Sequence, residues 1–355
     1  LRGCKAAKRF GSPRIRSEYR ALNGKYLGSA PHMADDSRRG LSADAPTQIP
    51  APGWWEILKR VWVKTGTDNI GLLAAGVAFY AFLAFVPLLG ALIMTYGLIA
   101  DPSKIADDMR TIIDLVPRDA AKLIYDQLVS LSTTAAGKKG LGLAIALLIS
   151  IYGAMRAASG IMMALNVVYE QAEKRSIVRT TLISALITIG AVVVAVVGLL
   201  SASVLAFLES VFWQLGGVTA VLIKVATWLF AGSLAAFAIA MVYRIGPDRH
   251  DAKWRWLSFG SIVATVLWLL ATIGFGLYAS KFGDYNATYG SLGAVVVLLM
   301  WLFVSSYAIL LGAELNAESE RQTSRDSTTG PARPLGSRGA TMADTLPPKA
   351  APESA

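Results

Sequence analysis

Apolar residues in this chain come in long, nearly uninterrupted blocks rather than in the spaced pattern of a half-buried surface element. The blocks run over about residues 71–100, 141–169, 181–208, 218–243, 257–279 and 291–315, with few charges inside them. A helix rises about 1.5 Å per residue and the bilayer's hydrocarbon core is about 30 Å thick, so roughly 20 mostly apolar residues make one crossing. The pattern therefore predicts an all-α fold: a polytopic membrane bundle of six transmembrane helices. Short connections between the later blocks predict antiparallel packing of sequence neighbours.

Two departures from the block pattern refine this picture. From Trp54 to Lys64, the residues Trp54, Ile57, Leu58, Val61 and Trp62 share one helical face while Lys59, Arg60 and Lys64 fall elsewhere. That spacing predicts a helix lying at the membrane interface ahead of the first span. Between the first two spans, Ile105, Met109, Ile112 and Ile113, then Leu123, Ile124, Leu128 and Leu131, recur at helical spacing around Pro117. The 101–140 segment is expected to form a short amphipathic helical outer segment. Pro87 interrupts the first span; it lacks a backbone donor and crowds the preceding turn, so a kink is expected near Phe85.

Composition agrees: 54% of the 355 residues are hydrophobic, 16% are charged, and mean hydropathy is +0.49. The formal charge of +10 sits at the ends of the chain and in two loops. Lys174, Arg175 and Arg179 occupy 170–180, and Arg244, Arg249, Lys253 and Arg255 occupy 244–256, whereas 209–217 has no basic residue and 280–290 has Lys281. Cytoplasmic loops are enriched in Lys and Arg, so both termini are expected in the cytoplasm of a bacterium whose inner membrane the chain crosses. Residues 1–52, basic and then Pro-rich, and 321–355, rich in Ser, Thr, Pro, Gly and Ala, are expected to be disordered, leaving 53–320 as the membrane domain. No apolar stretch follows the early basic cluster, so it does not read as a signal peptide, and Met33 is a candidate start that would make 1–32 non-native.

Candidate chemistry is sparse. The single cysteine, Cys4, allows no intramolecular disulfide. His32 and His250, the two histidines, have no metal-ligand neighbourhood, and neither a metal nor a cofactor is expected. The basic tails lack interleaved aromatics for base stacking, so no specific nucleic-acid partner is expected either. Inside the spans, Tyr152, Arg156, Ser159, Met163 and Asn166 follow i, i+4, i+7, i+11 and i+14, which puts a polar ridge along one face of the second span. An ionisable group at bilayer depth costs roughly 2.5–3.5 kcal/mol, so Arg156 needs a reason to be there. Two are open: an anion or headgroup contact in a cavity, or a structural lock on carbonyls or an acid of another helix. Gly153, Ala157, Gly160 and Ala164 form the adjacent small-residue stripe that admits a close neighbour. Glu314 and Asn316 form a polar end to the last span, where interfacial water is expected to hydrate Glu314.

Three segments carry a resemblance: Ala75-Gly-Val-Ala-Phe-Tyr80 running into Pro87, Ala164-Leu-Asn-Val-Val-Tyr169, and Tyr289-Gly-Ser-Leu-Gly-Ala294 through Gly312-Ala-Glu-Leu-Asn-Ala317. In these, over about residues 54–320, the chain resembles the YihY/BrkB family of bacterial inner-membrane proteins. The resemblance implies six spans with cytoplasmic termini, and it brings two family labels, virulence factor and ribonuclease BN. Hydrolysis of RNA needs clustered His and acidic residues or paired imidazoles, which this sequence does not offer. The expectation is a non-enzymatic protein in contact with membrane lipids: a transporter or lipid-handling envelope factor with an unknown solute or lipid substrate. Its cavity would be lined by Arg156, Pro87 and the polar end of the last span. A structural or assembly protein whose ridge binds a partner helix is the alternative, ribonuclease activity is a weaker one, and homo-oligomerisation is left open.

Overall fold

A computed structural model describes residues 38–99, 136–212, 217–281 and 291–347. The expected outer amphipathic helices of 101–140 lie almost wholly outside these residues, as do 1–37 and 348–355. Helix α1 is Ala51–Thr67 and α2 is Ile70–Ile99. Then come α3 (Ala136–Val168), α4 (Ile177–Phe212), α5 (Gly217–Ile245), α6 (Trp254–Lys281), α7 (Ser291–Arg321) and a single turn, α8 (Thr341–Asp344). Among the described residues, helices α3 to α7 are each long and apolar enough to cross a membrane, and α1 and α2 pass the same test jointly as a bent pair, for five to six candidate spans. The all-α, polytopic architecture follows from the length and composition of these blocks.

Pro50 and Pro52 open α1, where a missing N–H costs nothing because the first turn has no intrahelical acceptor to lose. Its apolar residues divide in two. Ile57 and Val61 are buried against the bundle, whereas Trp55, Leu58 and Trp62 are exposed, as an interfacial helix requires. At Asp68–Asn69 the chain turns by 62° into α2. Asn69 adopts φ 53°, a left-handed conformation that Asn tolerates better than most residues, and its carbonyl accepts from the N–H groups of Leu72 and Leu73 to start α2. The sharp bend thus falls at this corner, and Pro87 lies inside a helix that continues past it.

Around the bundle, α2 packs on α3, α3 on α4, α4 on α5, α5 on α6, α6 on α7, and α7 closes back onto α2. The main core gathers at the end of this ring that bears the basic loops. Ile70, Ala74, Leu165, Tyr169, Tyr243, Leu257, Leu310 and Ala313 form it. Among the described residues there is no β-sheet; one isolated bridge pairs Ala252 with Thr328.

Residues 38–52 and 321–347 depart from the expected disorder. Thr323 donates to the Ala43 carbonyl at 2.6 Å and the Ser324 N–H to the Leu41 carbonyl at 2.8 Å, so both ends of the membrane domain meet at the loop-bearing end. Arg338, 4% exposed, donates to the carbonyls of Ser324, Arg325 and Ala343, and Asp344 accepts from the N–H groups of Gly336, Arg338 and Gly339. Met342 is buried in the main core. Composition fails here because it counts the apolar surface a segment can bury. This tail is held by hydrogen bonds to its own carbonyls and to the loops, a source of order that composition does not register.

Candidate functional site

The polar end of α7 is built on a close approach of two helices. A Cβ on Gly260 would lie 2.2 Å from the Gly312 carbonyl oxygen, and one on Gly312 would lie 2.5 Å from that of Gly260. With α6 and α7 this close, Asn316 on α7 accepts from the Gly260 N–H at 2.7 Å and donates to the Leu257 carbonyl at 3.0 Å. Tyr243 of α5 donates to the Ile309 carbonyl at 2.5 Å. Asn316 is thus a buried clamp rather than a hydrated helix end. Glu314 also differs from expectation. It is fully buried, and neither of its oxygens meets a donor among the described residues.

Around it lies a layer of charges that the blocks of apolar sequence conceal. Glu318, fully buried, takes Arg60 of α1 at 2.5 Å and Arg321 at 3.3 Å. Glu170 pairs with Lys64 and with Arg321. Burial opposes the charge on Glu170, but the hydrogen bonds from Lys64 and the nearby Arg321 outweigh it and hold the carboxyl below its ordinary range. On the other side of Tyr169, Arg249 and Glu320 form a buried pair at 2.7 Å, with the guanidinium 4.8 Å from the Tyr169 ring. Of these residues the sequence reading singled out Glu314 and Asn316. Glu318 and Arg321 stand four and seven residues beyond Glu314, a spacing that puts all three on one helix face and was the available signal.

The proposed ridge on α3 does not form one seam. Tyr152 and Met163 are exposed, and Arg156 is exposed with its guanidinium carbon 5.8 Å from the Tyr80 ring centre and 5.7 Å from that of Tyr152. Ser159 accepts from Ser184 of α4 at 3.3 Å. Asn166 is buried; it donates to Glu173 and accepts from the Asp248 N–H at 2.7 Å. Among the described residues Arg156 has no acidic partner. The adjacent small stripe does what its composition predicts: a Cβ on Gly153 would meet the Ala84 backbone at 2.8 Å.

An open cleft of about 690 Å³ lies at the loop-bearing end, lined by Lys174, Arg175, Arg179, Asp248, His250 and the tail at Thr341. Its floor is a clamp. Arg175 grips both Glu173 oxygens, at 2.7 and 2.6 Å, and reaches the Gly246 carbonyl at 2.7 Å, tying the loop after α3 to the end of α5. The Arg175 hydrogen bonds, opposed by partial burial, lower the Glu173 carboxyl from 4.5 to about 2. A depressed carboxylate contributes stability above its unfolded value and loses it as pH falls through the folded one. Thermal melts should therefore show an acid-labile contribution that disappears between pH 4.5 and 2. Glu173→Gln should remove that part, worth about 1 kcal/mol or less after solvent screening. Among the described residues no three His, Cys, Asp or Glu side chains converge as metal ligands.

Known proteins share this layout of sequence. A UPF0761 membrane protein of Rhodospirillum centenum is 26% identical over 290 residues, 80% of this chain and 62% of the relative. A Bacillus subtilis protein named as ribonuclease-like is 26% identical over 265 residues, 74% of this chain and 93% of the relative. A UPF0761 membrane protein of Ralstonia nicotianae is 29% identical over 261 residues, 72% of this chain and 56% of the relative. The chain thus spans about three-fifths of the length of the first and third of these relatives. No solved structure matches. The profile of one family matches residues 61–335, from α1 through all the spans and into the tail. This membrane protein belongs to the virulence factor BrkB family.

Proposed function

We propose that the protein is a non-enzymatic envelope factor of the inner membrane that handles an anionic lipid or solute, with Arg156 as the group that receives the anion. The observation behind this is an exposed guanidinium about halfway along α3, flanked by the rings of Tyr80 and Tyr152 and without an acid beside it among the described residues. Arg156 lies twelve residues before the end of α3 at Val168, which at about 1.5 Å per residue is about 18 Å into the span. A cation held there needs a counter-charge or water. A phosphate or carboxylate brought in by an amphiphile meets that need, and a guanidinium binds such groups through paired hydrogen bonds. The tyrosine rings would hold the guanidinium plane by cation–π contact and leave its N–H groups free. The cytoplasmic side is the loop-bearing end in this reading, since both described ends of the domain and the basic loops meet there.

The test is lipid retention and transfer. Protein purified from membranes of mixed lipid composition is expected to carry anionic lipid in excess of the bulk. Arg156→Leu should weaken anion binding roughly ten- to a hundredfold, the loss of one charge-assisted contact of about 1.5–3 kcal/mol, with Arg156→Lys in between. Folding is checked by gel filtration and melting. A folded Arg156→Leu protein with unchanged lipid content and unchanged transfer between vesicles rejects the proposal. One observation favours a second reading: Tyr152, Arg156 and Met163 form an exposed strip that a partner helix could cover. In that case Arg156→Leu would change the complexes recovered from membranes and leave lipid retention untouched.

A further inference from the structure

Among the described residues, five acids and four cations gather where α1 meets the last span. Arg39 and Arg60 hold Glu56; Arg60 and Arg321 hold Glu318; Lys64 and Arg321 hold Glu170. Every cation is thereby engaged with one of these three acids, and the two that remain are Asp68 and Glu314. Lys64 lies 3.6 Å from Asp68, a Coulombic neighbour rather than a hydrogen-bond donor to it. Glu314 is completely buried, with both oxygens lacking a donor, and Asp68, at the corner between α1 and α2, has one buried oxygen in the same condition. The two carboxyls lie within hydrogen-bonding reach of each other.

Two ionised carboxylates cannot satisfy one another, because neither has a hydrogen to donate. Unpaired buried charge is strongly disfavoured, and a second like charge beside it adds to that. One proton placed between them removes the excess negative charge and joins two of the three orphaned oxygens, one as donor and one as acceptor, in a single step. Each charged or titratable neighbour is accounted for: Lys64 and Arg60 from α1, Tyr169 and Glu170 from the end of α3, and Glu318 and Arg321 from α7. None of them donates to Glu314. A metal ion is a poorer occupant, since no three ligating side chains converge here among the described residues.

The geometry points to a proton-binding site: Glu314 holds one exchangeable proton and donates it to Asp68, and this bond ties the corner between α1 and α2 to the last span. The site stands apart from the anion reading at Arg156 and does not rest on it. Its consequence is conformational. Removing the proton leaves two buried negative charges facing each other across the α1–α2 corner, which already carries the 62° bend and the left-handed Asn69. Charge repulsion then has a hinge to act on, working against the Arg60–Glu318 and Lys64–Glu170 pairs that hold α1.

Infrared spectroscopy of the purified full-length protein in lipid tests this directly. A protonated-carboxyl carbonyl band, shifted by D2O, is expected at neutral pH and should disappear on alkaline titration. It should be missing in both Glu314→Gln and Asp68→Asn. Hydrogen exchange across 51–69 should accelerate roughly tenfold when the wild-type proton is lost, as a local opening does, and should stay slow in Glu314→Gln, which keeps a neutral donor in place. The wild-type titration needs neither variant: lack of a protonated carboxyl at neutral pH overturns the inference. So does a band that survives both substitutions, or one that vanishes on adding sodium at constant pH, which would make a sodium ion the occupant.

Discussion

Gly312→Ala should leave much less folded protein than a single added methyl would suggest, and Gly260→Ala should do the same. The new methyl on Gly312 would meet the Gly260 carbonyl oxygen at 2.5 Å, the Ala264 Cβ at 2.6 Å and the Tyr243 hydroxyl at 2.8 Å. Two of those three are a backbone atom and a methyl on a packed helix, so neither can swing aside. The helices must separate instead. Overpacking of this kind costs about 1–3 kcal/mol, and separation also stretches both Asn316 bonds to α6, each worth about 0.5–1.5 kcal/mol. Gly274→Ala, in the same helix α6, supplies the control. Nothing lies within 4 Å of its new Cβ, and a helix-interior alanine gains about 0.5–1 kcal/mol over glycine. Melting temperatures in detergent should therefore fall for Gly312→Ala and Gly260→Ala and hold or rise for Gly274→Ala. Equal melting of all three would show that α6 and α7 do not approach as closely as the seam requires.

The contrast between these glycines marks how far the sequence could be read. The long apolar helices were legible because a bilayer imposes one length on every span, and α2 to α7 match the apolar blocks to within six residues at each end. Helix α1 was legible for the same kind of reason, as an amphipathic period next to an apolar block. Gly274 and Gly312, however, look alike along the chain; which of them faces a neighbour depends on the rotation of α6 against α7. The charged layer was hidden by a related problem. Glu318 lies at a helix end, where a carboxylate ordinarily reaches water, and Arg60 comes to it from 258 residues away. Arg156 was legible as an anomaly of depth. Its surroundings were not, since Tyr80 comes from another helix and the exposed side of the ridge depends on packing. The tail was misread for a further reason: the Arg338 and Asp344 bonds are local, specific and almost independent of composition.

Arg249→Met should be the most damaging change at the loop-bearing end. Arg249 is 2% exposed and Glu320 fully buried, and the pair is closed at 2.7 Å, with Ser327 also donating to Glu320. Removing the guanidinium leaves an ionised carboxylate in a closed site, a situation that costs roughly 3–5 kcal/mol when one partner of a buried pair is lost. The same change removes the cation from the face of Tyr169, about 1–2 kcal/mol more if that contact is as dry as its burial suggests. Lysine should not substitute, since a point charge on a thinner stem cannot meet Glu320 and lie flat on the ring together. The decisive comparison is the double change Arg249→Met with Glu320→Leu. Taking away both charges also takes away the unpaired one, so the double variant should melt well above Arg249→Met alone, and the coupling in the cycle should be large and favourable. High salt should leave that coupling nearly unchanged because ions do not screen a pair they cannot approach. If Arg249→Met melts like wild type, or the double variant is no better than the single, Glu320 is reaching water by some path and the loop-bearing end is more open than its buried charges require.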